Sequence, residues 1–438
     1  MILVNSTVAA LPVPRPSACP GLYRIVPARD GGICRIRLAC GQLTARQALA
    51  LAALAEQHAS GLIELTNRSN LQLRGVRAGE EEALIRGLLA AGLGPEQPEA
   101  DDVRNLLVSP AMDLDPASET ALAPLARAIL AHLQAEPAFH ALSPKFALQL
   151  DGGEQIALLS HPHDLWLSLL PGGTRLAFGL AGTPEDPPLA SLALDQVLPL
   201  LDALLKLFLE QARDGQQRMR QLLETLPVTE FIRQLQQRLD FPLGEAPAQW
   251  SRQASSLPPL GLLAQKQPGQ QMLGLMPVLG RLTSLQLRSL ARLAECFGRG
   301  QLRCTPWQGL LLPDIPEDQG QALLLQTIQL ELLTDLQEPL ARLVACSGSA
   351  GCRKGLADTK TDALRLARLL RQSPARPQVH LSGCERSCAV AHRMPYTLLA
   401  RPGGRYQLYL GSVRPDGQGQ LLADALTPDD AARRLGAV

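Results

Sequence analysis

Neither sign of charge prevails in this sequence. Its 42 lysines and arginines stand against 41 aspartates and glutamates, a formal net charge of +1. No overall field therefore draws the chain to nucleic acid or to an anionic membrane, and any anionic ligand has to be held by a local pocket. No stretch carries the roughly 18 uninterrupted apolar residues of a membrane span. The nearest, Leu192 to Leu209, is broken by Asp195, Gln196, Asp202 and Lys206 and reads as an amphipathic helix. There is no G-x-G-x-x-G after a predicted strand and no P-loop, which removes the phosphate cradles of flavin, nicotinamide and nucleoside triphosphate sites. Redox chemistry here must draw its electrons from a partner or a diffusible donor. The opening, Met1 to Ala18, lacks a basic n-region, and Asn5, Ser6 and Thr7 interrupt its apolar residues, so it is expected to be a loose arm and not a secretory signal. Nine cysteines, an odd number, in a chain long enough to bury a large core without staples argue against a disulfide framework and for a reducing, cytoplasmic compartment.

Four of those cysteines are patterned. Cys346-Ser-Gly-Ser-Ala-Gly-Cys352 and Ser382-Gly-Cys384-Glu-Arg-Ser-Cys388 read C-x5-C, a gap of 31 residues, then C-x3-C. Two thiol pairs delivered from two loops suit one metal centre. The small residues between them let backbone N–H groups approach sulfur, as around an iron–sulfur cluster. A structural zinc with four cysteine ligands is the alternative, although its usual spacing of two to four residues is shorter than the first interval. Cys19, Cys34, Cys40, Cys296 and Cys304 lack motif spacing and read as ordinary buried thiols. His392 lies four residues past Cys388, placed to donate to cluster sulfur, protonate an intermediate or ligate a separate iron. Trp307 could stack on a ligand or fill a core.

The chain also repeats itself. Gly41-Gln-Leu-Thr and Gly280-Arg-Leu-Thr align without a gap at an offset of 239, which also pairs Glu56 with Glu295, Gly61 with Gly300, Thr66 with Thr305 and Leu71 with Leu310. Each copy reads strand, helix, hairpin, helix, a ferredoxin-like pattern. In the first, Ile33 to Leu38 alternates as a half-buried strand, Thr44 caps a helix through His58, and Leu62 to Leu65 and Leu71 to Val76 flank the turn Asn67-Arg-Ser-Asn70. In the second, the pieces are Met272 to Pro277, Thr283 to Cys296, Gln301 to Thr305, Leu310 to Leu312 and a helix after Pro316. A longer mixed segment follows each unit, and only the second one carries the thiols. The expected domains are 17–95, 96–240, 255–325 and 326–438, with a helix-rich stretch from Leu192 to Leu239 joining the halves and a proline-bearing linker from Glu245 to Leu260.

Arg35 and Arg37, two apart on one strand, share a face. With Arg68 in the hairpin turn, Arg74 on its return strand, Lys145 in Ser143-Pro-Lys-Phe and Arg303 on the matching strand of the second copy, they form a set able to grip several carboxylates at once, since arginine offers a planar bidentate fork.

The cysteine pairs, the duplication and Leu65-Thr-Asn-Arg-Ser-Asn-Leu-Gln-Leu-Arg-Gly75 together resemble the nitrite and sulfite reductase superfamily over roughly residues 17–415. The resemblance implies an α+β, duplicated fold, with two ferredoxin-like half-domains and two larger α/β units in pseudo-two-fold arrangement. It implies a 4Fe-4S cluster on Cys346, Cys352, Cys384 and Cys388, the last bridging to sirohaem in the reductases, and basic residues that hold macrocycle carboxylates. Ala147 stands where a second lysine of that grip is expected. Together with Ala18-Cys-Pro-Gly-Leu22 and Asp30-Gly-Gly-Ile-Cys-Arg-Ile-Arg37, this is similar to the precorrin-3B synthase branch. That branch implies an oxidoreductase, a monooxygenase of aerobic cobalamin biosynthesis, which hydroxylates precorrin-3A at C20 and closes a γ-lactone. Dioxygen is its oxidant and electrons come from an external donor. A mononuclear non-haem iron or the cluster's own edge activates oxygen, and the substrate fills the space that sirohaem fills in a ferredoxin-dependent sulfite or nitrite reductase.

Overall fold

A computed structural model of the chain describes residues 11, 14–413 and 419–436; most of the expected N-terminal arm lies outside them. The chain folds as four five-stranded sheets that come in two matched kinds. The first ferredoxin-like sheet orders Val26–Ala28, Gly31–Ile36, Leu71–Val76, Leu62–Leu65 and then Arg281–Thr283, which comes from the second half. Its counterpart orders Gly261–Ala264, Gln270–Leu275, Leu310–Pro316, Gln301–Cys304 and then Gln42–Thr44, which comes from the first half. Each half thus lends one short strand to the other.

Capping fixes the helix behind each sheet. Thr44 accepts from the Gln47 N–H before Ala45–His58, Thr283 accepts from the Gln286 N–H before Ser284–Phe297, and both glutamines reach back to the cap backbone. The two helices pack against each other in a shared apolar core that includes Leu51, Ala52, Leu290 and Ala291. Just before them, Cys40 and Leu279 occupy the left-handed region at φ 54° and 52°. Such backbone is uncommon for non-glycine residues, and its recurrence at the same offset of 239 marks the copies as homologous. Pro316 does not open the following helix directly, because a 3-10 turn, Glu317–Gln319, intervenes before Gly320–Gln329.

The two larger units share one topology. Leu106–Val108, Leu148–Asp151 and His163–Leu169 run parallel, and Arg175–Gly182 and Ala190–Ala193 return antiparallel. Leu343–Ala345, Val379–Ser382, Tyr396–Arg401, Arg405–Leu410 and Gln420–Leu426 repeat that order. The helix-rich stretch from Leu192 to Leu239 packs into the core of the first larger unit, within the expected domain 96–240. Its helix, Val197–Gln211, buries Leu200, Leu201, Leu204, Leu205 and Phe208, leaving a polar stripe on which Lys206 bonds Asp202 at 2.9 Å. Residues 245–260 form no helix or strand. Among the described residues no helix is long and apolar enough to cross a membrane.

Where the second unit has thiols, the first has a polar lock. Ser109 follows its strand as Cys346 follows the matching one, and the Ser109 hydroxyl donates to the Ile156 carbonyl at 2.7 Å. Arg252, from the segment between the halves, grips Asp151 with two bonds of 2.8 Å. Burial, and then the neighbouring Asp151, push the Glu154 carboxyl up to about 8 from 4.5. The folded chain therefore holds a proton there that the unfolded chain has released, so stability falls as pH rises from about 4.5 to about 8. Denaturant melts of Glu154→Gln should match the parent near pH 4.5. Near pH 8 the variant should be the more stable, by on the order of a few kcal/mol.

Candidate functional site

The cysteine pairs reach one place because their strands are neighbours. Cys346 follows Leu343–Ala345 and Cys384 follows Val379–Ser382, two paired parallel strands, so both loops leave the sheet at the same end, the end at which open α/β sheets hold ligands. The first loop makes a single helical turn, Gly348–Gly351. Gly348 has φ +54°, and a Cβ there would lie 2.6 Å from the Ala357 carbonyl oxygen. That close approach places Thr359 beside Cys346, with its hydroxyl 3.6 Å from Sγ. From the second loop, the Gly383 N–H donates to Cys346 Sγ at 3.2 Å. Amide donors of this kind stabilise thiolate and tune cluster potentials.

The four sulfurs act on one another. Cys388 lies at the exposed rim, yet enough protein surrounds its sulfur that burial first, and then Cys384, Cys346 and Cys352, push its thiol up. A cationic iron core would relieve that repulsion. Among the described residues no three histidine, cysteine or acidic side chains gather tightly enough for a single metal ion. A cluster takes each thiolate on a different iron, and the two small-residue loops offer it thiol donors with an amide and a hydroxyl against Cys346 sulfur. Both hairpin turns brace the second loop: Asn67 Nδ2 donates to the Cys388 carbonyl at 3.5 Å, and Gln308 Nε2 donates to the Ala389 carbonyl at 3.0 Å.

The expected basic set divides. Arg37 is 2% exposed and already bonded to Asp102 and Asn105. Arg74 is bonded to Asp30 and to the Gly351 carbonyl, and Arg303 to the carbonyls of Pro110 and Met112. Among the described residues, Arg35, Arg68 and Lys145 make no hydrogen bond or ion pair to an acid; Glu64 acts on Arg35 and Asp164 on Arg68 only through space. Arg35 Nη2 donates to Gln72 at 3.2 Å while its Nε is buried and unbonded. Burial, then Arg37, lower it to about 10, and Cys388 acts on it in the opposite sense. Burial, then Arg218, lower Arg68 to about 9, with Arg35 and Arg37 adding to the strain. Lys145 is exposed on the segment whose Ser143 hydroxyl donates to Gln217, next to Arg218. Ala147 is buried, its N–H donating to Asp164. Arg35 and the Asn67–Arg68 turn thus lie beside the second thiol loop, since Cys388 acts on Arg35 and Asn67 bonds the Cys388 carbonyl.

Two neighbours of these cations escape a reading of motifs. Arg218 bonds Asp164 at 2.9 Å. His163 is 2% exposed and stacks on His161 with ring centroids 4.6 Å apart, and burial, then Arg68, hold it well below the usual imidazole value. Only the two-residue spacing His161-Pro-His163 hinted that these rings share a face. Of the two alternatives for Trp307 the structure shows the core one, and among the unpatterned thiols two depart from the buried expectation. Trp307 is a core residue whose indole donates to the Ser256 carbonyl. Cys296 is exposed and Cys19 half-buried, whereas Cys34, Cys40 and Cys304 are buried as expected; Cys296 falls on the outward side of its helix. His392 is buried, 7% exposed, beside Trp307 and Met394.

The nitrite/sulfite reductase ferredoxin-like half domain matches residues 26–91 and again 263–335, and the nitrite and sulphite reductase 4Fe-4S domain matches 99–243. The ferredoxin–nitrite reductase of Synechococcus elongatus is 30% identical over 385 residues, 81% of this chain and 73% of that protein. The chain belongs to the nitrite and sulfite reductase family. The chloroplastic ferredoxin–nitrite reductase of Zea mays is 31% identical over 81% of this chain and 67% of its own length. Precorrin-3B synthase of a Sinorhizobium species is 26% identical over 409 residues, 91% of this chain and 83% of its own length. Among solved structures, the NirA protein of Mycobacterium tuberculosis has the same fold, with a TM-score of 0.78 and 22% identity over 92% of this chain and 79% of its own. The family's 4Fe-4S domain match falls on the first α/β unit, which contains no cysteine; the patterned thiols belong to the second copy.

Proposed function

We propose that this member of the family is an oxidoreductase acting on a tetrapyrrole polycarboxylate, and that it forms the product named in the Sinorhizobium relative, precorrin-3B, by oxygen-dependent conversion of precorrin-3A. The observation that carries this reading is that Arg35 and Arg68, which make no hydrogen bond or ion pair to an acid among the described residues, lie beside the loop of Cys384 and Cys388, with Lys145 exposed on the segment that reaches Gln217 next to Arg218. A half-buried guanidinium with no close counter-charge is costly by itself and is satisfied by a ligand carboxylate. The cations orient the macrocycle by its rim so that one meso carbon is presented. One atom of dioxygen becomes the C20 hydroxyl, the other leaves as water with two electrons and two protons, and the ring A acetate closes the γ-lactone. A 4Fe-4S cluster on the four cysteines, when bound, supplies electrons one at a time. The donor is external, and the exposed Arg353, Lys354 and Arg386 around the thiol loops suit an acidic electron carrier. The precorrin-3B synthase relative matches more of this chain than the nitrite reductases do, 91% against 81%, and Ala147 supplies no charge to a sirohaem grip.

A second reading is a ferredoxin-dependent nitrite or sulfite reductase with sirohaem in the same space, favoured by the 31% identity to the maize enzyme. The absorption spectrum of protein purified without oxygen, with iron and sulfide counted on the same sample, separates the two. Broad brown absorbance without sharp macrocycle bands is expected. Soret and long-wavelength bands together with nitrite or sulfite consumption would replace the synthase reading.

A further inference from the structure

We propose that Arg74, with Asp30 and Arg29, is a strut from the first ferredoxin-like unit that positions the Cys346–Cys352 loop across the unit boundary, and so sets how firmly, and at what potential, that loop holds its cluster. This rests on the cluster reading above and departs from the expectation that Arg74 binds substrate. Arg74 is 3% exposed. Its Nε and Nη2 each donate to Asp30 at 2.7 Å, which fixes the plane of the guanidinium, and Nη2 also donates to the Gly351 carbonyl at 2.9 Å. Gly351 immediately precedes Cys352. The same carbonyl accepts from the Arg29 N–H at 3.3 Å, and the Arg29 side chain donates to the Ser349 carbonyl at 2.9 Å. Three donors from one strand turn and one neighbouring strand thus hold two carbonyls of a loop more than 270 residues away, the Arg74 to Gly351 separation being 277. Contact is tight enough to dictate sequence: a Cβ on Gly351 would lie 2.6 Å from Arg74 Nη2 and 3.2 Å from Asp30 Oδ2.

Two roles follow, one mechanical and one electrostatic. Residues that orient ligand-bearing backbone typically account for about 10- to 100-fold in metal affinity. A buried cation beside Cys352 also favours the more negative, reduced state of whatever that thiolate ligates. Lysine at this position keeps the charge but cannot make the forked bond to Asp30 while also holding the Gly351 carbonyl.

The test measures chelator-driven iron loss, cluster midpoint potential and affinity for a tetrapyrrole polycarboxylate on anaerobically purified full-length chain. Arg74→Gln should lose iron about 10- to 100-fold faster and have a more negative potential. Arg74→Lys should lose iron faster at a near-parental potential, and tetrapyrrole affinity should hold in both. Because removing one partner of a buried pair can cost folding, Asp30→Asn/Arg74→Gln, which removes both charges, and the exposed Arg29→Ala are made alongside. Each should speed iron loss at an unchanged thermal midpoint of the apo chain. Parental iron loss and potential in all four variants, or lost tetrapyrrole affinity with an unaltered cluster, overturns the strut. A parent chain that holds no iron and sulfide overturns the cluster reading instead.

Discussion

Cys384→Ser should leave a folded, colourless protein with iron and acid-labile sulfide at background and no turnover, and Cys388→Ser should do the same. Serine is nearly isosteric, and the sheet behind these loops is filled by Leu343, Val379, Leu381 and Leu398, so the fold survives. What disappears is a soft anionic donor that a hydroxyl does not replace, since cluster irons are held by thiolate. The second loop offers no substitute: Ser387 already donates to the Val413 carbonyl and Ser382 to the Cys384 carbonyl. Cys296→Ser, on the outer face of its helix, is the control and should keep the full complement of both elements. Full iron and sulfide in Cys384→Ser would return the ligand set to question.

Arg68→Ala should weaken binding of a tetrapyrrole polycarboxylate by about 30-fold or more, taking about 2 kcal/mol as the lower end for a truncated buried charge partner. Arg35→Ala should act in the same direction, and neither should change iron content. Among the described residues the charged neighbours of Arg68 are chiefly cations, Arg218, Arg35 and Arg37, with Asp164 already bonded to Arg218, so a ligand carboxylate would be its counter-charge. Removing Arg68 also lifts the charge that depresses His163, so the pH profile of binding should shift toward a more easily protonated imidazole. Parental affinity in both variants, measured by fluorescence or calorimetric titration, would mean that these side chains do not face the ligand.

The sequence disclosed the elements whose causes are local. The capping box at Thr44 and Gln47, the strands Leu62–Leu65 and Leu71–Val76, and the turn between them are set by neighbours within a few residues. The cysteine pattern is likewise a matter of spacing along two loops. The strands Gln42–Thr44 and Arg281–Thr283 went unread because three residues carry almost no periodic signal, and their partners, residues 301–303 and 62–64, lie in the opposite half. The same reason governs the basic set. Nothing near Arg37, Arg74 or Arg303 in sequence announces the groups that bind them, at separations of 65, 44 and 193 residues. Arg35, Arg68 and Lys145 look no different from these along the chain. What distinguishes them is that, among the described residues, the fold brings no acid into bonding contact with them.

The exchange of short strands between the halves reaches beyond this chain. Severed between residues 245 and 255, neither fragment could complete its own ferredoxin-like sheet, since each would miss the edge strand that the other supplies and would expose its own unpaired. Such fragments have a reason to find each other, and two identical ones would satisfy the same pairing reciprocally, as an isologous dimer does. The present molecule has the form of such a dimer written as one polypeptide. Within one polypeptide the two copies are free to differ, and they do: the first holds Arg252 against Asp151 where the second holds its thiol loops.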